Sequence, residues 1–255
     1  MLTSLSGGVI SERMVRNVKI YKFDSVDSTN EMAKKIIIDG ETNHLDVILT
    51  AEQTGGKGRM GNSFLSPPGG LYFSICLEKS ELDNLLSPMF TIAVAICNVL
   101  EDLQIEAEIK WVNDIIAEGK KVCGILAETT DGNDFIVLGV GINANTKHID
   151  LLEVENADSL ANIIRKEVDI EDLLDNILST FKKMLSQPAT EIMHLYREKC
   201  RTIGSDVRFT VKDQEIFAMA VDVTDNGELM VITDTGETMF LDSGTVSIRG
   251  KNGYI

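Results

Sequence analysis

Apolar and polar positions along the chain change period several times, and each change marks an element. Residues 18–23 alternate as a half-buried strand does. Residues 29–39 then take helical spacing, with Ser28 and Glu31 at the separation of a capping box and Gly40 as the stop. Short apolar runs at 46–51 and 71–77 predict two further strands. Ser87-Pro88 opens a long apolar helix that runs to about residue 103, with Pro88 at the first helical position. Strands follow at 107–111, 121–129 and 135–142, separated by turn signals at Glu118-Gly119 and Asp131-Gly132-Asn133. From 159 to 199 the period is helical, and Ile170, Leu173, Leu174, Ile177, Leu178, Phe181 and Leu185 form one core-facing stripe. After Gly204 the runs shorten to 207–211, 216–223, 228–233 and 238–241, with hairpin signals at Asn226-Gly227 and Thr235-Gly236. The pattern predicts an α+β fold, a mixed β-sheet domain with flanking helices over 1–200 and a small β-barrel over 201–255.

The 255 residues are enough for one large and one small domain, and 44% hydrophobic with 25% charged residues is ordinary for a globular enzyme. The 40 acidic against 24 basic side chains, a net charge of −16, argue against DNA as a partner, because DNA binding needs a basic face. Cys76, Cys97, Cys123 and Cys200 form no CxxC and suit reduced core thiols, hence a cytoplasmic location. His44, His148 and His194 lack metal-ligand spacing. No run has the ~18 apolar residues of a membrane span, and residues 1–17 lack the apolar core of a signal peptide.

Against that acidic background, Gly55-Gly56-Lys57-Gly58-Arg59-Met60-Gly61-Asn62 places four glycines and two cations in eight residues. Glycine lets backbone N–H groups approach a ligand, and the cations offer charge to an anion, so the stretch reads as a carboxylate or phosphate cradle or, more plainly, as a flexible turn. Three further segments carry polar or charged side chains suited to a site. They are Ser28-Thr29-Asn30, Lys110-Trp111-Val112-Asn113-Asp114, and Gly119-Lys120-Lys121-Val122-Cys123-Gly124-Ile125-Leu126. Lys57, Arg59, Lys110 and Lys121 are the cations best placed to offset anionic substrates. One like-charge pair at ~4 Å and an effective dielectric of ~20 costs roughly 4 kcal/mol.

Across roughly residues 18–250 the chain resembles the biotin–protein ligases, which activate biotin with ATP and attach it to carrier domains of carboxylases. The resemblance implies a catalytic domain related to class II aminoacyl-tRNA synthetases and an SH3-like C-terminal barrel. It implies that Ser28, Thr29, Asn30 and Gln53 contact the biotin head group, although Ser28 could equally serve only as a helix cap. Residues 56–64 correspond to the family's Gly-Arg-Gly-Arg-x-Gly-Arg-x-Trp loop, so Gly56, Lys57, Gly58, Arg59, Asn62 and Phe64 are expected around biotin and its adenylate. Lys57 and Asn62 stand where that loop has arginine, and Phe64 where it has tryptophan. Lys110, Trp111, Asn113 and Asp114 match Lys-Trp-Pro-Asn-Asp with Val112 for proline, implying contacts to ATP and, through Asp114, to Mg²⁺. Trp111 could also be a plain core aromatic. Lys121 is expected between the biotin carboxylate and the α-phosphate, with Lys120 facing solvent. Asn143 in Gly139-Val140-Gly141-Ile142-Asn143 is expected near adenine. Arg208 and Arg249 are candidate nucleotide or carrier contacts.

The implied partners are biotin, ATP and a biotin carboxyl carrier domain, with no DNA and no membrane; a homodimer is left open. About seventeen residues precede the first expected strand, too few for the helix-turn-helix domain of relatives that repress transcription. Two alternatives stand beside the ligase reading: a lipoate or octanoate ligase of related fold, whose Arg-Arg-x-Ser-Gly-Gly-Gly motif is missing here, and a non-catalytic sensor of biotin or its adenylate.

Overall fold

A computed structural model describes residues 9–15, 18–82, 87–130, 132, 134–151, 154, 156–211, 214–242 and 248–250. The strands are β1 (Ser11–Val15), β2 (Val18–Val26), β3 (Val47–Gln53), β4 (Leu71–Glu78), β5 (Ala107–Lys110), β6 (Asp114–Ala117), β7 (Lys120–Thr129), β8 (Phe135–Ile142), β9 (Asp206–Val211), β10 (Gln214–Val223), β11 (Leu229–Thr233), β12 (Thr238–Leu241) and β13 (Arg249–Gly250). The helices are α1 (Thr29–Ile38), α2 (Ser87–Asp102), α3 (Leu160–Ile164), α4 (Ile170–Leu185) and α5 (Ala189–Lys199). The chain divides into two compact units, Met1–Leu85 with Lys121–Leu178 and Leu86–Lys120 with Ser179–Ile255.

In the first unit the strands lie in the order β1-β2-β3-β4-β8-β7. Only β2 and β3 run parallel, because α1 carries the chain from the end of one to the start of the other; the remaining neighbours are antiparallel. Met32, Ala33, Ile36 and Ile37 of α1 bury against Tyr21, Phe23, Ile48, Cys76 and Val137 of the sheet, the single apolar face that its helical spacing encodes. Helix α1 stops at Gly40, whose φ of 70° suits glycine. There the Gly40 N–H bonds Ile37 O at 3.1 Å and the Glu41 N–H bonds Ile36 O at 3.2 Å, the two bonds of a Schellman ending.

The second unit contains the apolar helix α2, which packs on α5 and on the β5–β6 hairpin. It also contains an antiparallel sheet in the order β12-β11-β10-β9-β13, the SH3-like C-terminal module. The Asn226-Gly227 hairpin is present. Gly227, at φ 82°, donates to Thr224 O at 2.8 Å, and its Cα faces Phe90 so closely that a Cβ would lie 2.3 Å from the ring.

Several elements differ from expectation. Ser28 sits at the N-cap of α1 in extended conformation but makes no side-chain cap bond, and Glu31 turns instead to Lys34 and Lys57, so the capping box does not form. Strand β1 has no counterpart in the sequence reading, and the segment after Trp111 forms β6 rather than a connection. In α4 the buried stripe is Leu173, Leu174, Ile177, Leu178, Phe181 and Met184. Ile170 and Leu185 are only half-buried, because Met184 follows Phe181 at the i+3 position. Of the turn at 131–133 only Gly132 lies among the described residues.

Candidate active site

The first unit carries a buried cluster of neutral polar groups at the start of α1. Ser28, Thr29 and Asn30 are all buried there. The Thr29 backbone N–H is an orphan donor at the helix N-terminus, and Gln53 Oε1 accepts it at 2.8 Å while also taking Thr29 Oγ1 at 3.2 Å. Gln53 in turn donates through Nε2 to Ser66 Oγ at 2.8 Å, which fixes its amide orientation. Ser74 Oγ, on the central strand β4, lies 2.8 Å from Thr29 Oγ1 and 2.6 Å from Asn30 Oδ1. Asn30 Nδ2 donates to Glu128 Oε2 at 2.7 Å and more weakly to Leu126 O at 3.4 Å. The result is a set of uncharged donors and acceptors held by one another and, at Asn30, by the Glu128 carboxylate, the surface a neutral urea-like ring requires.

From β3 the chain enters the glycine loop. Its base is tied by Gly55 N–H to Asp27 O at 2.8 Å and Gln53 N–H to Ser66 O at 3.1 Å. The loop closes as a small hairpin: Phe64 N–H bonds Gly56 O at 2.9 Å, Gly58 N–H bonds Asn62 O at 2.7 Å, and Lys57 bridges to Ser63. Glycine is needed at 56, because a Cβ there would stand 2.3 Å from Phe64 O. Asn62 uses its amide to donate to Arg59 O at 3.0 Å, a local contact within the loop. Lys57 pairs with Glu31 at 2.7 Å, and the ammonium beside it holds the Glu31 carboxyl below the usual carboxylate range.

Phe64 draws the loop, β7 and β8 together. Its ring lies against Gly124 and Gly141, where added Cβ atoms would be 2.9 Å and 2.4 Å away, and it meets Tyr72 edge-on at 6.5 Å. The Lys121 ammonium stands 5.6 Å from the centre of the Phe64 ring. Lys121 is held from both sides by its backbone, with its N–H to Asn156 O at 2.7 Å and its carbonyl accepting from Asp158 at 3.1 Å. It is half-buried where Lys120 is exposed. Asn143, just beyond β8, is buried. Its Nδ2 donates to Asp158 O at 3.1 Å, and its Oδ1 is enclosed without a hydrogen-bond partner. A buried amide oxygen in that state is an acceptor waiting for a donor.

The structure thus gathers Ser28, Thr29, Asn30, Gln53, Gly56, Lys57, Gly58, Arg59, Asn62, Phe64, Lys121 and Asn143 into the first unit. It adds Ser66, Ser74 and Glu128, which sequence reasoning missed. The visible signal for Ser74 was a lone hydroxyl inside the otherwise apolar run 71–77.

Lys110, Trp111, Asn113 and Asp114 lie in the second unit. Lys110, which is buried, and Asp114 are register partners across the β5–β6 hairpin. Trp111 is buried, with its indole N–H on Gly227 O at 3.0 Å and its backbone N–H on Thr202 Oγ1 at 2.9 Å; its bond to Val112 is cis. Tyr196 OH donates to Val112 O at 3.0 Å, fixing the turn that presents Asn113. Arg208 pairs with Glu215 at 3.1 Å and lies opposite Arg249 in the β9–β13 ladder. No cluster of three potential metal ligands occurs among the described residues. The Asp114 carboxylate fits Mg²⁺, which commonly binds through one or two carboxylates plus substrate phosphates.

Residues 22–145 match the model of the biotin/lipoate A/B protein ligase family, and residues 202–249 match that of the biotin protein ligase C-terminal domain. The chain belongs to this family. It is similar to the biotin protein ligase from Aquifex aeolicus in complex with biotin and ATP, with a TM-score of 0.79, 28% identity, and coverage of 91% of this chain and 99% of that one. It is 28% identical to the biotin–[acetyl-CoA-carboxylase] ligase of Mycobacterium tuberculosis over 78% of each chain. It is 29% identical to the bifunctional ligase/repressor BirA of Bacillus subtilis over 74% of this chain, where it spans 62% of the relative's length. Among the described residues no helix is long and apolar enough to cross a membrane.

Proposed function

We propose that this family member is a biotin–protein ligase. The observation that carries the reading is the meeting, within one unit, of the uncharged cluster at Thr29, Asn30, Gln53 and Ser74 with the glycine loop and Lys121 through Phe64. The uncharged cluster takes the ureido ring of biotin, and the Phe64 ring, seated on Gly124 and Gly141, offers an apolar face to its fused rings. Lys121 offsets charge as a carboxylate oxygen of biotin attacks the α-phosphorus of ATP and pyrophosphate leaves. Lys57, Arg59 and the loop amides hold the resulting biotinyl-5′-adenylate, with Asn143 Oδ1 accepting from the adenine amino group. The ε-amine of a carrier lysine then attacks the acyl carbon, loses a proton and expels AMP.

Lys110, Trp111, Asn113 and Asp114 are assigned to ATP, with Asp114 the ligand for Mg²⁺. Bound there, the ion would neutralise phosphate charge. We divide the chain into a catalytic domain over 1–200 and an SH3-like domain over 201–255, supported by the family matches ending at 145 and starting at 202. The partner is a biotin carboxyl carrier domain in the cytoplasm, and the net charge of −16 supports a protein rather than DNA as that partner.

Pyrophosphate release with MgATP and biotin, lipoate or octanoate tests the chemistry. Release with biotin alone supports the ligase; release with lipoate or octanoate instead identifies the related acyl ligase, and biotin binding without release identifies a sensor.

A further inference from the structure

Lys57 stands where the family's loop carries arginine, and its ammonium does not float. It lies 2.7 Å from Glu31 Oε1 on the first turn of α1. The same oxygen accepts from Lys34 Nζ at 3.0 Å, Lys34 bonds Glu128 Oε1 at 2.8 Å, and Glu128 Oε2 takes Asn30 Nδ2 at 2.7 Å. One continuous chain of charge-assisted bonds therefore runs from the glycine loop to the buried cluster assigned to the biotin head group. The backbone bonds of the loop tip, from Lys57–Ser63, Gly58–Asn62 and Asn62–Arg59, are internal and do not fix the tip to the rest of the unit.

We propose that Glu31 is a positioning residue: it clasps Lys57 and holds the glycine loop in register over the acyl-substrate pocket before any ligand arrives. Three observations carry this. Glu31 is released for the task because it does not serve the helix cap. Its single carboxylate separates two ammonium groups that would otherwise face each other, so its loss both frees Lys57 and pushes it from Lys34. Asn62 turns back on its own loop rather than outward, leaving Lys57 to reach α1. The functional consequence rests on the ligase reading above; the clasp itself does not.

Hydrogen exchange across 56–63 in the ligand-free full chain tests it. Glu31→Gln and Lys57→Met should each speed exchange about two- to five-fold, the range a partly exposed ion pair spans. The double variant should exchange no faster than either single one, and Lys57→Arg should keep the wild-type value. About 1 M salt, with its ~3 Å screening length, should bring wild type to the Glu31→Gln rate. Unchanged exchange in Glu31→Gln, or effects that multiply in the double variant, would overturn the clasp. In a second arm, Glu31→Gln should release preformed biotinyl adenylate about two- to five-fold faster than wild type, with adenylate formation under saturating biotin little changed. An altered exchange rate in a protein that makes no adenylate would sink the ligase reading and leave the clasp standing.

Discussion

The ring of Phe64 rests on Gly141 so closely that a Cβ at that glycine would stand 2.4 Å from a ring carbon. This contact joins the closing end of the glycine loop to the central strand β8, and it exists only because two glycines, 124 and 141, lie side by side in paired strands. Gly141→Ala should expel the ring. The expected cost is about 1–3 kcal/mol of stability from overpacking, with loss of biotin affinity because the loop cannot seat. Urea melts and biotin titration check both; a variant with wild-type values for each would show that the ring has free space.

Ser74 holds two of the residues assigned to biotin and is itself fully buried. Ser74→Ala leaves Asn30 Oδ1 short of a partner inside the sheet, at about 1–3 kcal/mol. Biotin binding should weaken while ATP binding does not. Equal weakening of both ligands would point to general unfolding rather than to the head-group cluster.

The two adjacent lysines of β7 should separate cleanly. Lys121→Ala is expected to fold and to lose about 10²–10³ in the rate of biotin-dependent pyrophosphate release, the scale of one lost electrostatic stabiliser. Lys120→Ala, whose side chain is exposed, should stay near wild type. Similar rates in both variants would remove Lys121 from the reaction.

Burial pushes the thiols of Cys76 and Cys97 up to about 12 and that of Cys200 up to about 11. A raised folded-state value means that the native chain keeps these protons after the unfolded chain has lost them. Their contribution is therefore complete below the ordinary thiol value and is lost as pH climbs from about 9 towards 12. Urea midpoints should fall over that window, and alkylation at pH 8 should require unfolding; rapid native alkylation of these three cysteines would contradict their burial.

Much of this arrangement was legible in the residues. The succession of β2, α1 and β3 followed from alternation, helical spacing and a terminal glycine, and the loop from its density of glycine and cations; the parallel pairing of β2 with β3 did not. What escaped detection had no periodic signal. Strand β1, Ser-Glu-Arg-Met-Val, pairs at the sheet edge through its backbone, so its side chains need not alternate. Ser28 and Glu31 had capping-box spacing, yet the Lys57 ammonium, distant in sequence, outcompeted the local cap for Glu31. Ser66 and Glu128 act by orienting Gln53 and Asn30, and such support becomes visible only once the strands that carry them are neighbours.

The ligase account is tested most directly by transfer itself. The purified full chain, labelled biotin and MgATP are incubated with a biotin carboxyl carrier domain and with the same domain lacking its acceptor lysine. Label should become covalently attached to the intact domain only, should require ATP, and should vanish in Lys121→Ala. Labelling that is absent, independent of ATP, or equal on the lysine-free domain would contradict the account.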